Sequence, residues 1–294
     1  MPFVLTSQSN RRNFLRTAII GAGALAAPHF SFGQDAKSAR WAFLSDTHVP
    51  RDPSNEYRGF HPFDNMKKTT ADIASAQPEG AIITGDLARL EGFNGDYASL
   101  KTVCDPILQT MPVCMALGNH DNRSNFLNAF HDHPGKQNVS GKHVSVIEAG
   151  PVRFIVLDSL LSTNITPGQL GKNQREWLRA FLKEAQPKPT LLFFHHTMTD
   201  ADGSLVDVER LFPIIVPSDQ VKAIVYGHSH VYDFQEKMGI QLINIPAVGY
   251  NFSDQDPVGW IEAELTAQDG RFTLHTIGGN QDNNGQTTTV KWRV

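Results

Sequence analysis

Residues 41–48 read Trp-Ala-Phe-Leu-Ser-Asp-Thr-His, four apolar residues followed at once by a polar tail that carries Asp46 and His48. A half-exposed strand would alternate apolar and polar side chains, whereas a short unbroken apolar run fits a strand covered on both faces. The figure recurs four times downstream. Ala81-Ile82-Ile83 leads into Thr84-Gly85-Asp86, and Val113–Leu117 into Gly118-Asn119-His120-Asp121. Leu191-Leu192-Phe193-Phe194 leads into His195-His196, and Ala223-Ile224-Val225-Tyr226 into Gly227-His228-Ser229-His230. Between several of these runs the spacing turns helical: Phe63, Met66, Ile73 and Ala74 within 63–76, and Leu170, Trp177, Leu178, Phe181 and Leu182 within 169–184. Alternating strand and helix predict an α/β fold, in which functional groups collect in the loops after the strands. The five tails are therefore expected to converge on one patch of space.

The last third loses its helices. Residues 232–236, 240–245, 260–265 and 271–277 read as strands joined by glycine-containing turns, a meander expected to close a second sheet. The fold then becomes a sandwich of sheets flanked by helices. The Gly/Asn/Gln-rich stretch 278–288 reads as a surface loop before a final strand. At 294 residues, 40% hydrophobic and 19% charged, the chain suits one ordinary globular domain. A formal net charge of −4 offers no basic field for gripping phosphates of a nucleic acid, so no nucleic-acid partner is expected and a small substrate fits better. Twelve histidines against two cysteines, Cys104 and Cys114, point to imidazole and carboxylate chemistry rather than to a disulfide framework or a thiolate metal site. The cysteines read as small buried residues.

Each polar tail alone is a weak signal, because Gly-Asp is usually a turn and Asp-x-His is common. Their order and their shared place after apolar runs are not required by turn chemistry. Taken together, Asp-x-His, Gly-Asp, Gly-Asn-His-Asp, His-His and Gly-His-x-His make the chain from about Arg40 to Leu265 resemble the calcineurin-like metallophosphoesterase superfamily, its bacterial phosphodiesterase branch most closely. Gln174-Arg175-Glu176-Trp177-Leu178 is similar to that family too. The resemblance implies a four-layer α/β/β/α sandwich, two mixed sheets flanked by helices. It also implies that Asp46, His48 and His230 hold one metal ion, that Asn119, His195 and His228 hold a second, and that Asp86 bridges them. Two such ions lie about 3.5–4 Å apart, where a bridging carboxylate offsets their repulsion. Nitrogen and oxygen ligands admit iron, zinc, manganese or cobalt.

The implied activity is hydrolysis of a small phosphate ester by a metal-activated hydroxide. A phosphodiester of the cyclic nucleotide or glycerophosphodiester type leads, with a phosphomonoesterase or a non-catalytic binding relative as alternatives. In the family the histidine matching His120 approaches the leaving group, and Asp121 is expected to orient it. Arg123 is a candidate to steady the substrate phosphate, its other reading being an exposed arginine at a helix start. Neighbours on a strand point to opposite faces, so only one of His195 and His196 is expected to ligate; the family pattern His-x-Pro favours the first, although Thr197 stands where the family has proline. Tyr250, Asn251 and Phe252, with Arg58 and His61, are candidates for the mouth, and His131-Asp132-His133 reads as solvated loop.

The first 33 residues read differently. Ser9–Arg16 carries Arg11-Arg12-Asn13-Phe14-Leu15, and Thr17–Ala27 is an uncharged Ala/Gly/Ile run followed by Pro28. This resembles a twin-arginine export signal, which implies recognition by the twin-arginine export machinery, cleavage to leave a single domain over 34–294, and a periplasmic or otherwise exported protein. The run is about half the ~20 residues a membrane span needs, so no stable membrane insertion of the mature protein is expected.

Overall fold

The structure, a computed structural model, describes residues 36–294. The predicted leader, residues 1–33, and the predicted domain start lie outside the described residues. The elements follow in order: β1 (Ala39–Leu44), α1 (Pro62–Ala76), β2 (Gly80–Ile83), α2 (Asn94–Leu108), β3 (Val113–Met115), α3 (Arg123–Ala129), β4 (Lys136–Val139), β5 (Lys142–Ala149) and β6 (Val152–Val156). Then come α4 (Lys172–Glu184), β7 (Thr190–Phe193), α5 (Val208–Ile215), β8 (Val221–Tyr226), β9 (Asp233–Lys237), β10 (Ile240–Asn244), β11 (Pro257–Leu265), β12 (Asp269–Gly279) and β13 (Thr287–Lys291). One sheet has the order β13-β12-β11-β1-β2-β3, the other β4-β5-β6-β7-β8-β10-β9. β1, β2 and β3 run parallel, as do β6, β7, β8 and β10, while the remaining pairs are antiparallel.

The unbroken apolar runs have the expected cause. Along β1, Trp41 and Phe43 point into a core shared by both sheets, while Ala42 and Leu44 face the layer of α1 and α2. Along β7 and just past it, Leu191 and Phe193 take the shared core, and Leu192 and Phe194 meet the layer of α4 and α5. Period-two side chains with both faces covered leave no position for a polar residue. The shared core is fixed by edge-to-face rings, Trp41 on Phe154 at 5.0 Å and Phe43 on Phe193 at 4.9 Å. Such pairs contribute about 0.5–1.5 kcal/mol each beyond their area. Four layers result, as expected.

The meander does not form as read. β9 and β10 extend the sheet of β8, whereas β11, β12 and β13 extend the sheet of β1. The crossing segment after β10 explains the difference: Ala247 bridges Ser45 on one side and Val258 on the other, so the chain changes sheets there. The stretch read as a loop from residue 278 begins inside β12, which runs to Gly279. Cys104 and Cys114 are free and buried. Among the described residues, no helix is long and apolar enough to cross a membrane.

Candidate metal centre

The parallel strands β1, β2 and β3 of one sheet and β7 and β8 of the other all end at the same place, and within five residues of those ends stand Asp46, His48, Asp86, Asn119, His195, His228 and His230. Two groups form: Asp46 with His48 and His230, and Asp86 with His195 and His228. In the first, Asp46 Oδ1 lies 3.3 Å from His230 Nε2 and 3.9 Å from His48 Nε2, and the two imidazole nitrogens are 3.3 Å apart. In the second, His195 Nε2 lies 3.3 Å from Asp86 Oδ2 and 3.2 Å from His228 Nδ1. Asp86 Oδ2 is also 3.8 Å from His48 Nε2, and Asp46 Oδ1 is 3.8 Å from His195 Nε2, so a carboxylate oxygen of each group faces the other.

Tautomers can be assigned from the partners. His48 Nδ1 lies 3.3 Å from the Arg89 carbonyl and His230 Nδ1 2.6 Å from the Tyr250 carbonyl. A carbonyl only accepts, so each Nδ1 carries a hydrogen, and in the neutral ring Nε2 then presents a lone pair. Two lone pairs and the Asp46 carboxylate then point at one spot, an arrangement that repels itself unless a cation sits between them. Asn119 Oδ1 and Asp46 Oδ1 are buried without a hydrogen-bond partner, which a metal ligand does not need. Charge follows the same logic. Burial opposes ionisation of both aspartates, yet the neighbouring histidines hold Asp46 and Asp86 well below the usual carboxylate range. Burial works against a charge on His195, but Asp86 and Asp46 push its pKa up to about 9. Burial drives His48 down to about 3 and His228 to about 4, leaving both neutral. Ionised carboxylates, an amide oxygen and imidazoles, His195 among them once a cation displaces its proton, form a donor set that fits divalent ions of borderline hardness.

The backbone is strained at these residues. Asp46, His48, Asp86, His228 and His230 have φ of 51°, 45°, 47°, 72° and 58°. Left-handed backbone at a non-glycine residue costs about 1–3 kcal/mol and persists only where the surroundings impose it. Here the Asp46 and His48 N–H groups donate to the Gly85 and Asp86 carbonyls at 3.0 and 2.9 Å, and the His228 N–H donates to Asp46 Oδ2 at 3.0 Å. Gly118 packs so tightly on Asp86 that an added Cβ would lie 2.2 Å from Oδ1.

His195 and His196 diverge, their rings at 88°. His195 joins the acceptors, while His196 Nδ1 sits 2.8 Å from the Ser159 hydroxyl. The turn that proline would make is held otherwise: Thr197 Oγ1 is 2.9 Å from Ser204 Oγ, and its carbonyl accepts the Leu205 N–H.

Two expectations are corrected. Asp121 does not orient His120. Its buried carboxylate accepts the Gly118, Leu87 and Ala88 N–H groups and the Tyr97 hydroxyl, which ties the Asp86 loop to the Asn119 loop. Burial, with help from Asp86, pushes it up to about 7 against those donors. His120 instead gives its Nδ1 hydrogen to the Leu90 carbonyl at 2.9 Å, so Nε2 turns toward the centre, 4.0 Å from Asp86 Oδ2. Arg123 is neither a phosphate clamp nor exposed: it grips buried Asp158 through Nε at 2.6 Å and Nη2 at 3.0 Å, and Nη2 also reaches the Leu160 carbonyl. A guanidinium forked on a carboxylate has spent its best geometry. The Leu90, Arg89 and Tyr250 carbonyls, which orient three histidine rings, carry no sequence signal; Tyr97, buried in the first turn of α2, carries none either.

Residues 39–232 match the calcineurin-like phosphoesterase family. A probable cyclic nucleotide phosphodiesterase of Vesicomyosocius okutanii is 25% identical, over 79% of this chain and 96% of its own. The 3′,5′-cyclic adenosine monophosphate phosphodiesterase CpdA of Haemophilus influenzae is 27% identical, over 76% of this chain and 84% of its own. A dimetal phosphatase from Danio rerio shares the fold, with a TM-score of 0.64 at 15% identity over 87% of this chain and 99% of that one. The match runs through all five strand ends that carry these aspartates, histidines and Asn119, on the two-sheet frame just described, and this chain therefore belongs to the calcineurin-like phosphoesterase family.

Proposed function

We propose that this chain is a metal-dependent phosphodiesterase acting on a small diester of the cyclic nucleotide or glycerophosphodiester type. One observation carries the reading: carboxylate and imidazole groups converge in two adjacent clusters with Asp86 Oδ2 facing both. In this reading Asp46, His48 and His230 hold one ion, Asn119, His195 and His228 the other, and Asp86 stands between them; iron, zinc, manganese and cobalt all suit the donors. When bound, the ions supply Lewis acidity toward phosphoryl oxygens and a water acidic enough to ionise near neutral pH. The chain's own contribution is position and one proton. Strained, hydrogen-bonded loops hold the acceptors in place, so little reorganisation remains for the reaction. His120, its Nδ1–H held on the Leu90 carbonyl, presents a second hydrogen on Nε2 to the leaving-group oxygen and passes it over as the ester bond breaks, ending as the neutral Nδ1–H ring.

The relatives' names, cyclic nucleotide phosphodiesterases, favour a diester substrate. The test is hydrolysis of bis(p-nitrophenyl) phosphate against p-nitrophenyl phosphate by metal-stripped protein, with manganese, zinc, iron or cobalt restored singly. Faster diester cleavage is expected; faster monoester cleavage would overturn the diester assignment, and silence toward both would overturn the enzyme. We also propose export through the twin-arginine machinery, supported by Arg11-Arg12 and the apolar run behind them. Replacing both arginines with lysine should keep the protein in the cytoplasmic fraction, and unaltered fractionation would refute it.

A further inference from the structure

The wall beside Asp46, His48 and His230 is aromatic. Tyr250 stacks on His48 at 4.7 Å, Phe252 lies 4.4 Å from the His230 ring at 31°, and Tyr57 meets Tyr250 edge-on at 4.7 Å. Two arginines fix these rings. Arg58 donates to the Asn251 carbonyl at 2.9 Å and the Phe252 carbonyl at 2.7 Å, with its guanidinium 5.6 Å from the Phe252 ring. Arg89 lies 4.5 Å over Tyr57 and 5.6 Å over Tyr250. Tyr250 is buried and serves the ligand His230 through its carbonyl. Phe252 is different. Half its surface, 50%, is in water, and Tyr57, which meets Tyr250, is 39% exposed. A phenyl ring left in water gains nothing from burial, yet this one is clamped in place next to a metal ligand. Leu90 and Val231, in the segments that hold His120 and follow His230, are exposed as well.

Resting on the phosphodiesterase reading, we propose that Phe252, backed by Tyr250, is a stacking platform for a nucleobase, and that it selects nucleobase-bearing diesters over aliphatic ones. A base has a π-face whatever its edge pattern, so stacking on a preset ring binds it without needing a hydrogen-bond code. Because the ring abuts His230, a base resting on it stays tethered to a phosphate at the ions. An aliphatic diester has no flat face to cover the ring and forgoes that contact.

The test compares kcat/KM of the manganese-loaded protein on 3′,5′-cyclic AMP and on glycerophosphocholine, in wild type, Phe252→Ala and Phe252→Trp. In Phe252→Ala the cyclic AMP to glycerophosphocholine ratio should fall roughly tenfold, the size of one base–aromatic stack, and the change should lie in KM. Phe252→Trp should restore the ratio. A ratio that stays put in Phe252→Ala, or a fall that lies in kcat for both substrates, would overturn the platform while leaving the phosphodiesterase intact. Wild-type protein that cleaves neither diester would overturn the underlying reading, and the platform with it.

Discussion

The floor and the rim of the centre are held by different means. On the floor, Asp46, His48, Asp86, His228 and His230 sit in left-handed backbone, and all but His228 are almost wholly buried. On the rim, His120 lies in ordinary backbone with 21% of its side chain exposed, and a single carbonyl orients it. Strain is tolerable where the geometry must not vary, because the fold imposes it once and no substrate disturbs it. A group that must meet a substrate needs slack instead. Behind both lies a third set, Asp121, Tyr97, Arg123 and Asp158, which touches neither ions nor substrate in this account and ties loops together.

The largest effect should come from the floor. Asp86→Ala removes the carboxylate shared by both groups and should lose bound metal and activity together, with circular dichroism retaining the α/β spectrum; retained activity would dissolve the distinction. On the rim, His120→Ala should keep its metal but lose about 100-fold in kcat on a diester with a poor leaving group, the usual range for a general acid. Full turnover by that variant would remove His120 from the mechanism.

Behind the floor, Arg123→Ala leaves the buried carboxyl of Asp158 short of its main partner and should lower unfolding stability by about 3 kcal/mol in urea. Its KM should not move. A raised KM with unchanged stability would restore the phosphate-clamp reading.

The smallest effect is a pH dependence away from the centre. His143 donates to the Met115 carbonyl at 2.8 Å, and burial first, then the charge of His133, pushes its pKa down to about 4 from 6.5. The unfolded chain takes up that proton near 6.5, the folded chain only near 4. Stability from this group is therefore complete above 6.5 and is lost as pH falls through that window. His143→Leu should show a flatter urea midpoint over the same range, and equal slopes would refute the assignment.

The floor was legible in the sequence because its aspartates and histidines are chemically distinctive and follow strands whose two covered faces leave unbroken apolar runs. The rim was legible only in part. His120 lies inside a motif, but its partner is the carbonyl of Leu90, and any residue has a carbonyl. Adjacency in sequence wrongly suggested Asp121 for that duty, since a carboxylate next to a histidine says nothing of where its oxygens point. Arg123 misled in the same way, its partner lying 35 positions on. The sheet change after β10 was illegible because a strand pattern shows which face is apolar and not which sheet receives it.

The central claim is that two adjacent acceptor groups share Asp86. It is tested most directly by metal analysis of purified, manganese-reconstituted protein by inductively coupled plasma mass spectrometry, wild type beside Asp86→Asn. The account predicts two ions per wild-type chain and a marked loss in the variant. One ion per chain in both, or two in both, would contradict the shared-carboxylate centre.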